Sequence, residues 1–281
     1  MRKSRIRRKL ADNEPVLITT LHLASPAMFE LASLMGFDGL WIDLEHHSLS
    51  LESAESLMRA ARVGQSDIVA RPAKGEFMRL GRLLEAGAQG IMYPRCDNAA
   101  EAAEVVKWAK FPPLGKRGCD GGNPDMPYCT MPLNRYLREA NEQTFIVIQI
   151  EEEAALDHVE EIAAVDGVDV LMLGPGDFSS LGGFAGELDH PRIEKAAERI
   201  AAAARSAGKH WGRPLISPDE ASLYLELGAT FLPYSSDLTI LKNGWESMQT
   251  RFSLDGFTFA NQLSAVATCN ETLASKRLER C

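Results

Sequence analysis

The chain has 281 residues, of which 45% are hydrophobic and 25% charged, so it is globular and long enough for one large α/β domain or two small ones. Its 39 acidic side chains against 30 basic ones leave a net charge of −9, which argues against nucleic acid or an anionic membrane as its main partner. Its five cysteines are odd in number, far apart and form no CxxC pair, which excludes a cysteine zinc site or disulfide framework and suits a reducing, cytoplasmic setting.

The basic opening, MRKSRIRRKL within residues 1–12, lacks an apolar core of signal-peptide length and is expected to be a solvated first helix or a frayed arm. From residue 13 to 252, short apolar runs alternate with amphipathic stretches. A strand over 16–22 precedes a helix over 27–35, a strand over 39–43 a helix over 51–62, and a strand over 67–71 a helix over 77–86. The rhythm continues with a strand over 90–94 and a helix over 99–110. Residues 111–132 then break it with a Gly- and Pro-rich segment, too long for a plain connection and expected to be a functional loop or lid. Strands over 145–150, 168–173 and 229–234, with a weak one over 211–216, complete the series. Helices over 154–164, 192–206 and 220–227 lie between these later strands. After 252 the pattern fades into a C-terminal helix or arm over 253–281.

Buried, near-continuous apolar strands each followed by a helix predict parallel pairing with right-handed crossovers. Their number and spacing predict an α/β fold of the (β/α)8 TIM-barrel type, built as a single domain. No apolar run approaches the ~20 residues that a membrane span requires.

Chemistry in such a barrel gathers at the carboxyl ends of the strands. The stretch GLWIDLEHHSLSLE leaves an apolar strand and at once presents Asp43, Glu45, His46 and His47. His46 is placed to exchange protons near neutral pH, with Asp43 orienting its ring; His47 reads as its exposed neighbour. Arg71 ends DIVARP, where a cation closing an apolar strand suits charge developing on a substrate oxygen, against the alternative of a rim salt bridge. Glu151 and Asp177 end two successive strands. Each alone fits a helix-terminus acid or N-cap equally well, but side by side they suit Mg²⁺ or Mn²⁺, which accept hard oxygen ligands. The turn GPGDFSS adds glycines for close backbone approach and N–H groups for an anion, without any dinucleotide or P-loop spacing. His158 and His190 read as solvated, and His22 and His210 as satisfied histidines near strand positions.

GFDGLWIDLEHHSLS, VARPAK, LLEAGAQGIMYPRCDNAAEA, KFPPLGKRG, IQIEEEAAL and LMLGPGDFSSLGG, in this order, together resemble the HpcH/HpaI aldolases. These are metal-dependent class II enzymes that form pyruvate. The resemblance implies a hexamer, or trimer of dimers, that exchanges terminal helices between subunits. It implies Glu151 and Asp177 as ligands of Mg²⁺ or Mn²⁺, with Co²⁺ or Zn²⁺ as alternatives. Gln149 and the backbone at Gly176 and Asp177 match positions that hold the pyruvate part. His46 matches the base with Asp43 as companion, Arg71 the arginine that stabilises the enolate, and Glu85 an acid that tunes the base. Departures are Gly176 where alanine is common, Arg95 and Cys96 after the fourth strand, the stretch GRPLISP, and His22.

The implied reaction is reversible cleavage of a 4-hydroxy-2-oxo acid into pyruvate, or a close 2-oxo acid, and an aldehyde. Rival readings are a CoA-thioester lyase using KFPPLGKRG for the CoA phosphates, an oxo-acid decarboxylase on the same barrel, and a non-catalytic oxo-acid-binding barrel.

Overall fold

The computed structural model describes residues 1–263, in which eight parallel strands close into a barrel in chain order. The strands are β1 (Val16–Leu21), β2 (Gly39–Asp43), β3 (Asp67–Arg71), β4 (Gly90–Tyr93), β5 (Phe145–Ile150), β6 (Val170–Leu173), β7 (His210–Gly212) and β8 (Phe231–Ser236). Helices α1 (Arg5–Ala11), α2 (Pro26–Leu34), α3 (Leu51–Ala60), α4 (Phe77–Ala86), α5 (Ala99–Ala109) and α6 (Leu133–Gln143) accompany the first half. Helices α7 (Glu153–Asp157), α8 (Val159–Ala163), α9 (Pro175–Leu181), α10 (Pro191–Ser206), α11 (Ala221–Glu226) and α12 (Asp237–Ser253) accompany the second. The chain divides into two compact units, Met1–Leu238 and Thr239–Cys281. No described helix is long and apolar enough to cross a membrane.

Alternation along the strands sets what each layer of the barrel contains. Trp41 pairs with Val69 and, two residues on, Asp43 pairs with Arg71. Trp41, Val69, Met92, Val147 and Met172 thus fill the interior, and the next inward positions on β2, β3 and β5 are the polar Asp43, Arg71 and Gln149. The other strand faces pack against the helices in a second, larger cluster. Strand β7 is short because Gly212 lies against β8: a side chain there would meet the Phe231 carbonyl oxygen at 1.7 Å. That glycine removes the apolar residue that would have strengthened the pattern in sequence.

Two segments differ from expectation. The basic opening does form a helix, but α1 is not solvated: Ile6 and Leu10 are buried in the barrel interior cluster. Its polar side chains meet acids at the amino ends of the strands. Arg5 and Lys9 pair with Asp38, Arg7 with Asp169, and Ser4 donates to Asp67 at 2.6 Å. The cations therefore neutralise a buried acidic rim, an arrangement invisible while α1 is considered alone.

The 111–132 segment is no lid over this barrel's mouth. It follows α5, which runs back to the amino face, and there it packs on α6 through Phe111, Met126 and Tyr136. Within it Arg117 pairs with Asp125 at 2.9 Å, and both are buried. Lys110 is buried too, donating to the carbonyls of Asn141 and Thr144, and burial pulls its ammonium down to about 8. Helices α6 and α12, which the sequence pattern does not predict, a break at His158 that divides 154–164 into α7 and α8, and a seventh strand at 210–212 in place of 211–216 are further differences. Of the expected C-terminal arm, 264–281 lies outside the described residues.

Candidate active site

At the carboxyl end of β2 the Asp43 carboxylate is 3% exposed and receives Arg71 in a two-pronged grip. Arg71 Nε donates to Oδ1 at 2.9 Å and Nη2 to Oδ2 at 2.7 Å, a bidentate geometry that fixes the guanidinium plane. Below it lies Trp41, whose ring centroid is 4.7 Å from the Arg71 guanidinium carbon. Burial works against the Asp43 charge, yet the Arg71 bonds and the N–H groups of Glu45 and His46 outweigh it and hold the carboxyl below its ordinary value. Arg71 is likewise buried, and Asp43, Glu45 and Glu151 raise it above the ordinary arginine value. It remains a permanent cation.

Across the mouth, Glu151 is 2% exposed and accepts from Gln149 Nε2 at 2.9 Å and from the Arg95 N–H at 2.8 Å. Burial pushes its carboxyl up to about 7, with Asp177 and Glu45 adding to the rise. Asp177 stands in the first turn of α9, after Gly174 and Pro175. Gly174 is required by packing, since a Cβ there would lie 2.2 Å from Glu151 Oε1. At Gly176 a Cβ would meet nothing within 4 Å, so the alanine common in similar chains would fit.

These residues share one cavity of about 380 Å³. Trp41, Arg71, Gln149, Glu151 and Asp177 line its polar end, and Leu188, Pro214, Leu215 and Ile216 the rest. Glu151 and Asp177 are hard oxygen donors, and Gln149 Oε1 is a buried oxygen with no partner. Among the described residues no third His, Cys, Asp or Glu joins them in a ligating cluster. Two acids in a desolvated pocket, one of them with its charge disfavoured, fit a divalent cation whose other ligands come from substrate.

The histidines are arranged otherwise than the sequence suggests. The imidazole within 4 Å of the Asp43 carboxylate is His47, with Nε2 at 3.9 Å. His46 is more exposed and sits 3.6 Å from Glu45. His22 stacks on His47 with ring centroids 4.3 Å apart, and burial together with His47 lowers its pKa. His210 is remote from the mouth and bonds Thr230 at 3.1 Å. Glu85 ends α4 on the outside of the barrel, facing Arg117, Asp120 and Asp125, so it does not join the others in this subunit. The sequence marks Arg95 and His22 only as departures and points to no role for Glu45, Trp41 or the stacking of His22 on His47. The cluster DLEHH and the departure at Arg95 were the available signals, but nothing in them told which side chain faces inward.

Residues 19–244 match the family described as HpcH/HpaI aldolase/citrate lyase. The chain belongs to that family. Among curated proteins it is 33% identical over 253 residues to the 4-hydroxy-2-oxo-heptane-1,7-dioate aldolase of Salmonella arizonae, spanning 90% of this chain and 96% of the relative. Among solved structures it resembles an HpcH/HpaI aldolase from Desulfitobacterium hafniense DCB-2, with a TM-score of 0.84 and 28% identity over 90% of this chain and 98% of that one. A further structure, of an HpcH/HpaI aldolase/citrate lyase family protein from Burkholderia cenocepacia, gives 0.83 and 30% over 89% and 100%. The (β/α)8 barrel and the lyase class are those of the HpcH/HpaI aldolases, whose chemistry depends in general on a divalent metal.

Proposed function

We propose that this HpcH/HpaI family member reversibly cleaves a 4-hydroxy-2-oxo acid into pyruvate, or a close 2-oxo acid, and an aldehyde. The observation that carries this reading is the meeting, in one cavity, of the Glu151–Asp177 acid pair with an arginine fixed by Asp43. Glu151 and Asp177 would hold the divalent cation, Mg²⁺ or Mn²⁺ before Co²⁺ or Zn²⁺, and that ion supplies Lewis-acid polarisation of the 2-oxo group. Gln149 and the backbone of Gly176 and Asp177 orient the 2-oxo acid. His46 takes the proton of the 4-hydroxyl group. As the C3–C4 bond breaks, its electron pair passes toward C2, and Arg71 donates hydrogen bonds to the oxygen on which negative charge collects. Returning a proton to C3 completes pyruvate.

A Schiff-base route finds no support. Lys74, just past β3, has its ammonium bound to the Arg95 carbonyl and Asp97, and Asp97 with Glu101 outweighs burial and keeps it charged. The CoA reading loses its basic loop, because Lys110 and Arg117 of KFPPLGKRG serve the packing at the opposite face. We place the enzyme in the cytoplasm. We read its assembly as a homo-oligomer, hexamer or trimer of dimers. The exposed Trp245, Met248 and Phe252 of the unit beginning at Thr239 support that reading.

Incubation with Mn²⁺ and a panel of 4-hydroxy-2-oxo acids is expected to release pyruvate, and EDTA to stop it. Release that ignores EDTA would exclude the metal mechanism, and release from oxaloacetate alone would favour the decarboxylase. The base is assigned by comparing His46→Asn with His47→Asn. His46→Asn is expected to lower kcat about 10²-fold or more and to flatten the acid limb of the pH profile. If His47→Asn does this and His46→Asn does not, the proton passes through the imidazole beside Asp43.

A further inference from the structure

We infer that Arg95 is a positioning residue that holds Glu45 back from the guanidinium of Arg71, an inference that rests on the aldolase reading above. Arg95 has φ of +45°, in the left-handed region that non-glycine residues rarely adopt. Its peptide is clamped on both sides. The N–H donates to Glu151 Oε2 at 2.8 Å, and the carbonyl accepts from Lys74 Nζ at 2.6 Å. From there the side chain crosses to Glu45, giving Nη2 and Nε to Oε1 at 2.9 and 3.2 Å. The other oxygen of the same carboxylate, Oε2, lies 3.4 Å from Arg71 Nε.

One carboxylate therefore stands between two guanidiniums. The side chains of Glu45 and Arg71 are 4% and 9% exposed, so water screens their attraction poorly. Arg71 already carries Asp43 on two of its donors. Asp43 already balances its charge, so a second carboxylate drawn fully onto it would leave the group net negative and occupy hydrogens that a developing oxyanion needs. Arg95 draws Oε1 the other way and keeps Glu45 from moving along the guanidinium to the hydrogens on Nη1 and Nη2 that Asp43 leaves for substrate. Its guanidinium touches no reacting group and acts only through Glu45.

Glycine adopts the left-handed conformation freely and keeps the N–H. Arg95→Gly thus removes the guanidinium while preserving the bond to Glu151. The assay is Mn²⁺-dependent exchange of pyruvate methyl protons for deuterium, followed by NMR. Arg95→Gly is expected to lower kcat about tenfold to a hundredfold, with Mn²⁺ affinity and pyruvate KM within about threefold of the parent. Adding Glu45→Gln, which removes the charge that needs restraint, is expected to restore about tenfold of that loss. A residue of merely structural importance would not be rescued in this way. Parental kcat in Arg95→Gly, or a double variant no faster than the single one, overturns the inference. Should Arg95→Gly not fold, Arg95→Gln removes the same charge, and its rescue by Glu45→Gln decides in the same manner. A parent chain that exchanges no pyruvate protons with Mn²⁺ would instead sink the aldolase reading itself.

Discussion

Glu151→Gln is expected to abolish aldol turnover and, above about pH 7 without divalent cation, to resist urea better than the parent chain. Burial holds the Glu151 carboxyl at about 7 in the folded chain, against an ordinary 4.5. A carboxyl raised in this way binds more protons when folded than when unfolded between those two values. Stability of the parent therefore falls as pH climbs from about 4.5 to about 7, and the full penalty, on the order of 3 kcal/mol, persists above. An amide carries no such penalty. Gln149 can turn its own amide so that Oε1, now without a partner, accepts from the new one. One acceptor is lost in the exchange, so the expected net gain is about 1–3 kcal/mol.

Urea titrations in EDTA near pH 8 and pH 5 check the sign: the advantage of the variant narrows at the lower pH. Mn²⁺ at about a hundred times its Kd is expected to add about 2.7 kcal/mol to the parent and nothing to the variant. An equal Mn²⁺ shift in both proteins would take Glu151 out of the ligand set.

Arg71→Lys is expected to lower kcat about 10²–10³-fold while leaving Mn²⁺ affinity within about threefold. Lysine keeps the charge but not the planar fork that meets both oxygens of Asp43 and still has hydrogens to spare for substrate. Lysine is the more informative replacement, because Arg71→Ala would leave the buried Asp43 and Glu45 without their shared cation, a loss of about 3–5 kcal/mol in stability. Steady-state kinetics alongside Mn²⁺ titration separate the two effects. Parental turnover in Arg71→Lys would remove this arginine from charge stabilisation.

The barrel was legible in the sequence because each strand and helix carries its own periodicity. Strands β2, β3 and β5 begin and end where the apolar runs do. Asp43, Arg71, Glu151 and Asp177 were legible for a related reason: each is a polar residue at the end of such a run, and every barrel strand ends at the same mouth. β7 was faint because its inward position is the glycine that admits the Phe231 backbone. The destination of α1 was hidden because its acids lie just before β2, at the start of β3 and just before β6, 29 to 162 residues away.

Residue order by itself determined the alternation of elements and the set of polar side chains delivered to one end of the barrel, since periodicity and strand polarity are properties of the local chain. Only tertiary structure decided how those side chains pair. Asp43 grips Arg71, Glu45 is shared with Arg95, and His22 and His47 stack, while Glu85 and the 111–132 segment stay away from the mouth. Those choices depend on distances between strands remote in sequence and on desolvation when the barrel closes, and neither quantity is encoded in any single stretch of residues.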